Sequence, residues 1–129
     1  MVAIKTLDAD LAKNRIQSMR KGNKEGYLIF GEATKAHIRR HLEEYSPAST
    51  FFELDTEGLK TMLRRLQIRT GIKCNSHSFR RGFVTELRRK GLSELDIAEL
   101  GRWSSTEMVQ RYSRAYTFQD AATRYKAIV

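Results

Sequence analysis

The stretch from Ser76 to Tyr112, SHSFRRGFVTELRRKGLSELDIAELGRWSSTEMVQRY, constrains this chain more than any other. Its glycines divide it into segments of helix length. Ser76 is placed to cap a helix running to Lys90, with Phe79, Phe83 and Leu87 recurring every four residues as its buried stripe. Gly91 stops that helix. Ser93 caps a shorter one carrying Leu95, Ile97, Ala98 and Leu100, which Gly101 ends, and a further helix is expected from Ser105 to Ser113. Helix, glycine, helix, glycine is the punctuation of a compact helical bundle.

The remainder adds a small β element and three more helices. The turn Lys21-Gly22-Asn23-Lys24-Glu25-Gly26 contains two glycines and an asparagine, which supply the positive φ of a tight connection. It predicts a hairpin pairing residues 14–20 with 26–31. Ile38, Leu42 and Tyr45 make one apolar stripe on a helix over 33–45, ended at Ser46-Pro47. Thr56 can cap the next helix, 57–70, and Gly71 sits at its C′ position. From Thr117 a last, amphipathic helix carries Phe118, Ala121, Ala122, Tyr125 and Ile128 on one side. The expected fold is α+β but mainly α, with a small antiparallel hairpin or sheet at one edge, and residues 1–129 form a single domain.

Charge narrows the partner. There are 24 Lys and Arg against 15 Asp and Glu, a formal charge of +9, which favours a polyanion. Between Met62 and Gly91 stand Arg64, Arg65, Arg69, Lys73, Arg80, Arg81, Arg88, Arg89 and Lys90, with Glu86 as the lone acid. Like charges so concentrated are usually neutralised by nucleic-acid phosphate. The apolar runs are too short to span a bilayer, MVAIKTLDADL does not read as a signal peptide, and the single Cys74 excludes an internal disulfide. On those features the chain is expected in the cytoplasm, with no membrane partner.

Several residues could carry chemistry. His77 and Arg80, three apart, share a face in the first turn of a helix, where free N–H groups and the helix dipole favour an anion. A guanidinium can hold two phosphate oxygens, and an imidazole can donate a hydrogen bond or move a proton. Lys21 at the hairpin tip can reach outward as an acid or a clamp. Tyr112 lies between Arg111 and Arg114. A free phenol titrates at about 10, so nearby cations are needed for one to serve as a nucleophile. Tyr116 and Tyr125 remain rivals on composition alone. His37 and His41 have i, i+4 spacing, but no third metal ligand is evident beside them.

Together these residues resemble the catalytic domain of tyrosine recombinases, the phage-integrase class. His77-Ser-Phe-Arg80 and the following Gly91 look like that family's His-x-x-Arg helix. Leu100-Gly-Arg-Trp103-Ser-Ser followed by Tyr112 looks like its second box, in which His or Trp precedes the tyrosine by nine residues. Arg20-Lys21-Gly22-Asn23 is similar to the hairpin turn bearing the catalytic lysine, and Asp8-Ala-Asp-Leu11 to the segment leading into it. The resemblance runs from about residue 7 to 125.

The resemblance implies a tyrosine that attacks a DNA phosphodiester, forms a 3′-phosphotyrosyl bond and frees a 5′-hydroxyl, without metal, nucleotide or other cofactor. Tyr112 would be the nucleophile, Arg80 a clamp on the scissile phosphate and His77 a proton-transfer group or phosphate donor. Lys21 would be the general acid, and Trp103 an indole donor that cannot shuttle a proton. Arg64, Arg65, Arg69, Lys73, Arg81, Arg102 and Arg111 would hold the double-stranded DNA. A monomer would assemble on DNA as a homo-tetramer. The family's first catalytic arginine would fall ahead of Met1, so the chain is expected to be a partial catalytic domain lacking its N-terminal helices, weak or inactive in isolation. A non-catalytic duplex-DNA-binding module, derived from a truncated recombinase, is the alternative. A basic RNA-binding domain is another, and preference for duplex DNA over RNA separates the two.

Overall fold

The computed structural model describes residues 9–19, 25–45 and 52–128. The chain divides into two compact units, residues 1–62 and 63–129.

In the first unit, strands β1 (Ala9–Asp10), β2 (Arg15–Met19) and β3 (Glu25–Ile29) form an antiparallel sheet in the order β1-β2-β3. The predicted hairpin is therefore two strands of three. Asp8–Leu11 was expected only to lead into it, and Ala9–Asp10 instead pairs with β2, Ala9 opposite Ile16. Ile16 stands opposite Leu28, and both face inward onto Ile38 and Leu42 of α1 (Glu32–Tyr45). The alternate residues face out, as a period of two requires. There the Arg15 guanidinium lies 4.1 Å from the Tyr27 ring centre. His41 packs its ring against Tyr45 and Phe52, 5.1 and 6.0 Å away. Residues 20–24, Lys21 among them, lie outside the described residues, as does Ser46-Pro47, while Glu25 and Gly26 of the expected turn open β3.

α2 (Thr56–Thr70) starts in the first unit and ends in the second. Its cap lies one residue earlier than expected. The Asp55 carboxylate accepts from the Gly58 N–H at 2.7 Å, which makes Asp55, and not Thr56, the capping side chain. The same shift occurs at α3 (Ser76–Arg89), where Asn75 accepts from the Ser78 N–H at 2.9 Å. Asn, Asp, Ser and Thr all serve as N-caps, so adjacent candidates cannot be ranked until the backbone chooses. Gly71 holds the expected left-handed stop, at φ 71.

The second unit contains α3, α4 (Glu94–Leu100), α5 (Glu107–Tyr112), a 3-10 turn (Ser113–Ala115) and α6 (Phe118–Ile128). Its core is Val84, Ile97 and Val109, fully buried, with Ala98 and Tyr112. The expected stripe on α3 is corrected here. Phe79 and Phe83 are 58% and 38% exposed, and Val84 with half-buried Leu87 faces the core. Two apolar stripes coexist on that helix, and spacing alone does not say which one packs.

Gly91 ends α3 at φ 93. The Leu92 N–H reaches the Leu87 carbonyl at 3.1 Å, and the Gly91 N–H reaches Arg88 at 3.0 Å, the two bonds of a Schellman motif. A β-carbon on Gly91 would also collide with the Arg124 guanidinium. None of the residues of α6 is buried. Polar contacts tie it to α3 instead: Arg89 Nε donates to Asp120 at 2.9 Å, and Arg124 Nη1 to the Arg89 carbonyl at 3.4 Å.

That tie should respond to acid. The Thr117 N–H, and after it the Arg89 guanidinium, hold the Asp120 carboxyl below its ordinary value. A depressed folded value contributes stability that is complete above the unfolded one and is lost as pH falls through the folded one. α6 should thus be fully tied at neutral pH and loosen in acid, below about pH 4. NMR titration of Asp120 should give a midpoint below that of free aspartate, and Arg89→Gln should raise it. An unshifted midpoint would show that the contact contributes nothing in solution.

Candidate active site

α3 and the Tyr112 segment bring three of the five candidate catalytic residues together. Tyr112, at the end of α5, is only 5% exposed. Its hydroxyl lies 2.8 Å from Nδ1 of His77 in the first turn of α3. With the imidazole proton on Nε2 the phenol donates, and with it on Nδ1 the ring donates. On its other flank Tyr112 stacks on Trp103, ring centres 5.8 Å apart and planes inclined 26°. Phe83 meets the same indole edge-on at 6.3 Å. Nothing in the sequence marks Phe83 for this contact, because at spacing four from Phe79 it fits a core stripe equally well.

Trp103 reaches this position through the end of α4. The Trp103 N–H bonds the Ala98 carbonyl at 2.9 Å and the Arg102 N–H bonds Glu99 at 3.1 Å, a second Schellman motif. Its left-handed residue is not Gly101, which has φ −78, but Arg102, at φ 61. A non-glycine residue there costs about 1 kcal/mol. Glycine is needed at 101 for a different reason. A β-carbon would sit 2.7 Å from two carbons of the Trp103 ring, which folds back over the chain.

Arg80 is exposed, one turn beyond His77 on the same helix. The cationic candidates divide. Arg64, Arg65, Arg69 and Lys73 are exposed on α2 and the loop after it. Arg81 is half-buried, with Nη2 3.4 Å from Ser78 Oγ, and Arg102 is half-buried in its turn. Arg111 is exposed and 3.9 Å from Glu107. The anion site expected in the first turn of α3 is partly occupied from within, because the Asn75 side chain takes the Ser78 N–H. No group of three or more potential metal ligands occurs among the described residues. Nor is any helix among them long and apolar enough to cross a membrane.

A mainly helical unit with a tyrosine held between a histidine and a tryptophan defines a class. The chain belongs to the phage integrase family, whose model matches residues 1–118. It is similar to tyrosine recombinase XerA of Saccharolobus solfataricus, with 24% identity over 88% of this chain and 39% of that protein. Tyrosine recombinase XerC of Staphylococcus epidermidis is 25% identical over 81% of this chain and 43% of that one. A crystal structure of XerA recombinase has the same fold, with a TM-score of 0.82 over 98% of this chain, 50% of that chain and 22% identity. The chain thus spans about two fifths of the length of these curated relatives.

Proposed function

We propose that the chain is the partial catalytic domain, over residues 1–129, of a site-specific tyrosine recombinase that cleaves and rejoins duplex DNA. The observation that carries this reading is the 2.8 Å contact of the Tyr112 hydroxyl with His77 Nδ1, beside the stacked Trp103. Tyr112 Oη attacks the phosphorus, and His77 receives the phenolic proton. The bond to the 5′-oxygen breaks, and Lys21 protonates that oxygen. Arg80 and the Trp103 indole N–H stabilise charge on the non-bridging oxygens, as fixed donors do in other transfers of this kind. A 5′-hydroxyl from another strand reverses the step.

Arg64, Arg65, Arg69 and Lys73 supply exposed phosphate contacts, with Arg81, Arg102 and Arg111 nearer the site. The protein is cytoplasmic, monomeric when free and tetrameric on DNA. The second reading, a non-catalytic duplex-binding module, draws on the burial of Tyr112 as a core residue. One assay separates the two. The chain is incubated with a pool of nicked duplexes randomised around the nick, and a denaturing gel is read for a covalent protein–DNA adduct. A slowly accumulating adduct whose linkage maps to Tyr112, in keeping with the weak activity expected of a partial domain, is the expected result. Retardation of duplex DNA without any adduct selects the binding module.

A further inference from the structure

Tyr112 has weak local reasons to be where it is. α5 is six residues long, and Thr106 at its start makes no side-chain cap. A helix so short does not hold itself. Beside the packing of Val109 and Tyr112 in the core, polar contacts from the far end of α3 hold it. Arg88 Nη1 donates to Ser113 Oγ at 2.9 Å and to Glu94 Oε1 at 3.0 Å. The same guanidinium lies 4.8 Å from the centre of the Tyr116 ring. The other Glu94 oxygen accepts from Gln110 Nε2 at 3.2 Å, and Ser113 Oγ donates to the Val109 carbonyl. Arg88 and Glu94 therefore grip the chain on both sides of the tyrosine, at Gln110 before it and at Ser113 and Tyr116 after it. Their side chains are 26% and 35% exposed, so the grip is partly shielded from water. Arg88 also shares α3 with His77, about three turns away. One helix thus carries the tyrosine's hydrogen-bond partner at one end and the anchor of its segment at the other.

We propose that Arg88, together with Glu94, is a positioning residue that sets the Tyr112 hydroxyl against His77. The consequence for strand cleavage rests on the function proposed above; the placement itself does not. Trp103 is the chain's only tryptophan and stacks on Tyr112, so its fluorescence reports the site without requiring activity. Arg88→Gln is compared with Arg89→Gln, an equal loss of charge at the next residue, whose guanidinium goes to Asp120 on α6. In Arg88→Gln the Trp103 emission should shift to longer wavelength and acrylamide quenching should rise, with far-UV helicity kept. Arg89→Gln should leave both unchanged. Cleavage by Arg88→Gln should fall on the order of 10–100-fold at unchanged duplex affinity, the scale of a displaced reacting group.

Should Arg88→Gln fail to fold, Glu94→Gln and Ser113→Ala decide through the same two optical readings, with smaller shifts expected. Unaltered Trp103 emission in the folded variants, or an equal change in Arg89→Gln, overturns the proposal. A shift confined to the Arg88 network, with duplex DNA bound but no adduct formed by the unsubstituted chain, would retain the positioning and reject the recombinase chemistry.

Discussion

Tyr112→Phe should abolish the covalent adduct and leave duplex binding intact. The substitution removes one oxygen. The ring remains between Val84, Ile97 and Val109 and keeps its stack on Trp103. What is lost is the hydrogen bond to His77, about 0.5–1.5 kcal/mol of stability, too little to unfold a domain. The chemical loss is of another order. A phenyl ring has no nucleophile, and removing one from a covalent catalyst costs on the order of a millionfold. Tyr125→Phe is the matched control, since Tyr125 is 69% exposed on α6, and it should cleave as the parent does. An adduct formed by Tyr112→Phe would transfer the nucleophile's role to another side chain. Indifference of every measured property to the change would leave a DNA-binding module.

The second large effect is expected at Gly101→Ala. At φ −78 an alanine is conformationally acceptable, and in open space the added methyl would stabilise by roughly 0.5–1 kcal/mol. The space is not open. The new β-carbon would lie 2.7 Å from the Trp103 ring and 3.1 Å from the Ile97 carbonyl. That indole cannot simply swing aside, because Phe83 and Tyr112 hold it on two flanks. Overpacking of this kind costs about 1–3 kcal/mol, so the sign should reverse to destabilisation, with a shift in Trp103 emission. Gly82→Ala provides the contrast, because nothing lies within 4 Å of the atom it adds on α3. Urea denaturation of both variants checks the pair. Two stabilised proteins would mean that the ring over Gly101 yields freely.

Much of the helical layout was readable in the sequence because it rests on local rules. Apolar spacing set the spans of α1 through α4 and α6 to within a residue or two, and Gly71 and Gly91 are the left-handed stops that glycine spacing predicted. The errors are those of choosing between equivalent local options. Asp55 and Asn75 cap where Thr56 and Ser76 were expected. Gly101 ends α4 as expected, but the left-handed conformation that completes the stop falls on Arg102, so that Trp103 can turn back. Phe79 and Phe83 satisfied the helical period as well as Val84 does, and only packing distinguishes them.

The candidate site divides the same way. His77, Arg80, Trp103 and Tyr112 were marked by residue type and by separation along the chain, because chemistry demands particular side chains. Composition left Tyr112, Tyr116 and Tyr125 level, the resemblance singled out Tyr112 by its spacing from Trp103, and the geometry shows how their surroundings differ. One bonds His77, one lies under Arg88 and one is exposed on α6. The Arg88–Glu94–Ser113 network left no mark, since its members look like ordinary surface polar residues and sit 6 and 25 positions apart. By itself, then, the sequence determined which segments are helical and which side chains are available, since both follow from short-range sterics and periodicity. The tertiary structure alone decided which helix face is buried, which tyrosine meets the histidine and what holds it there. Those are contacts between segments distant in sequence, and no local rule ranks them.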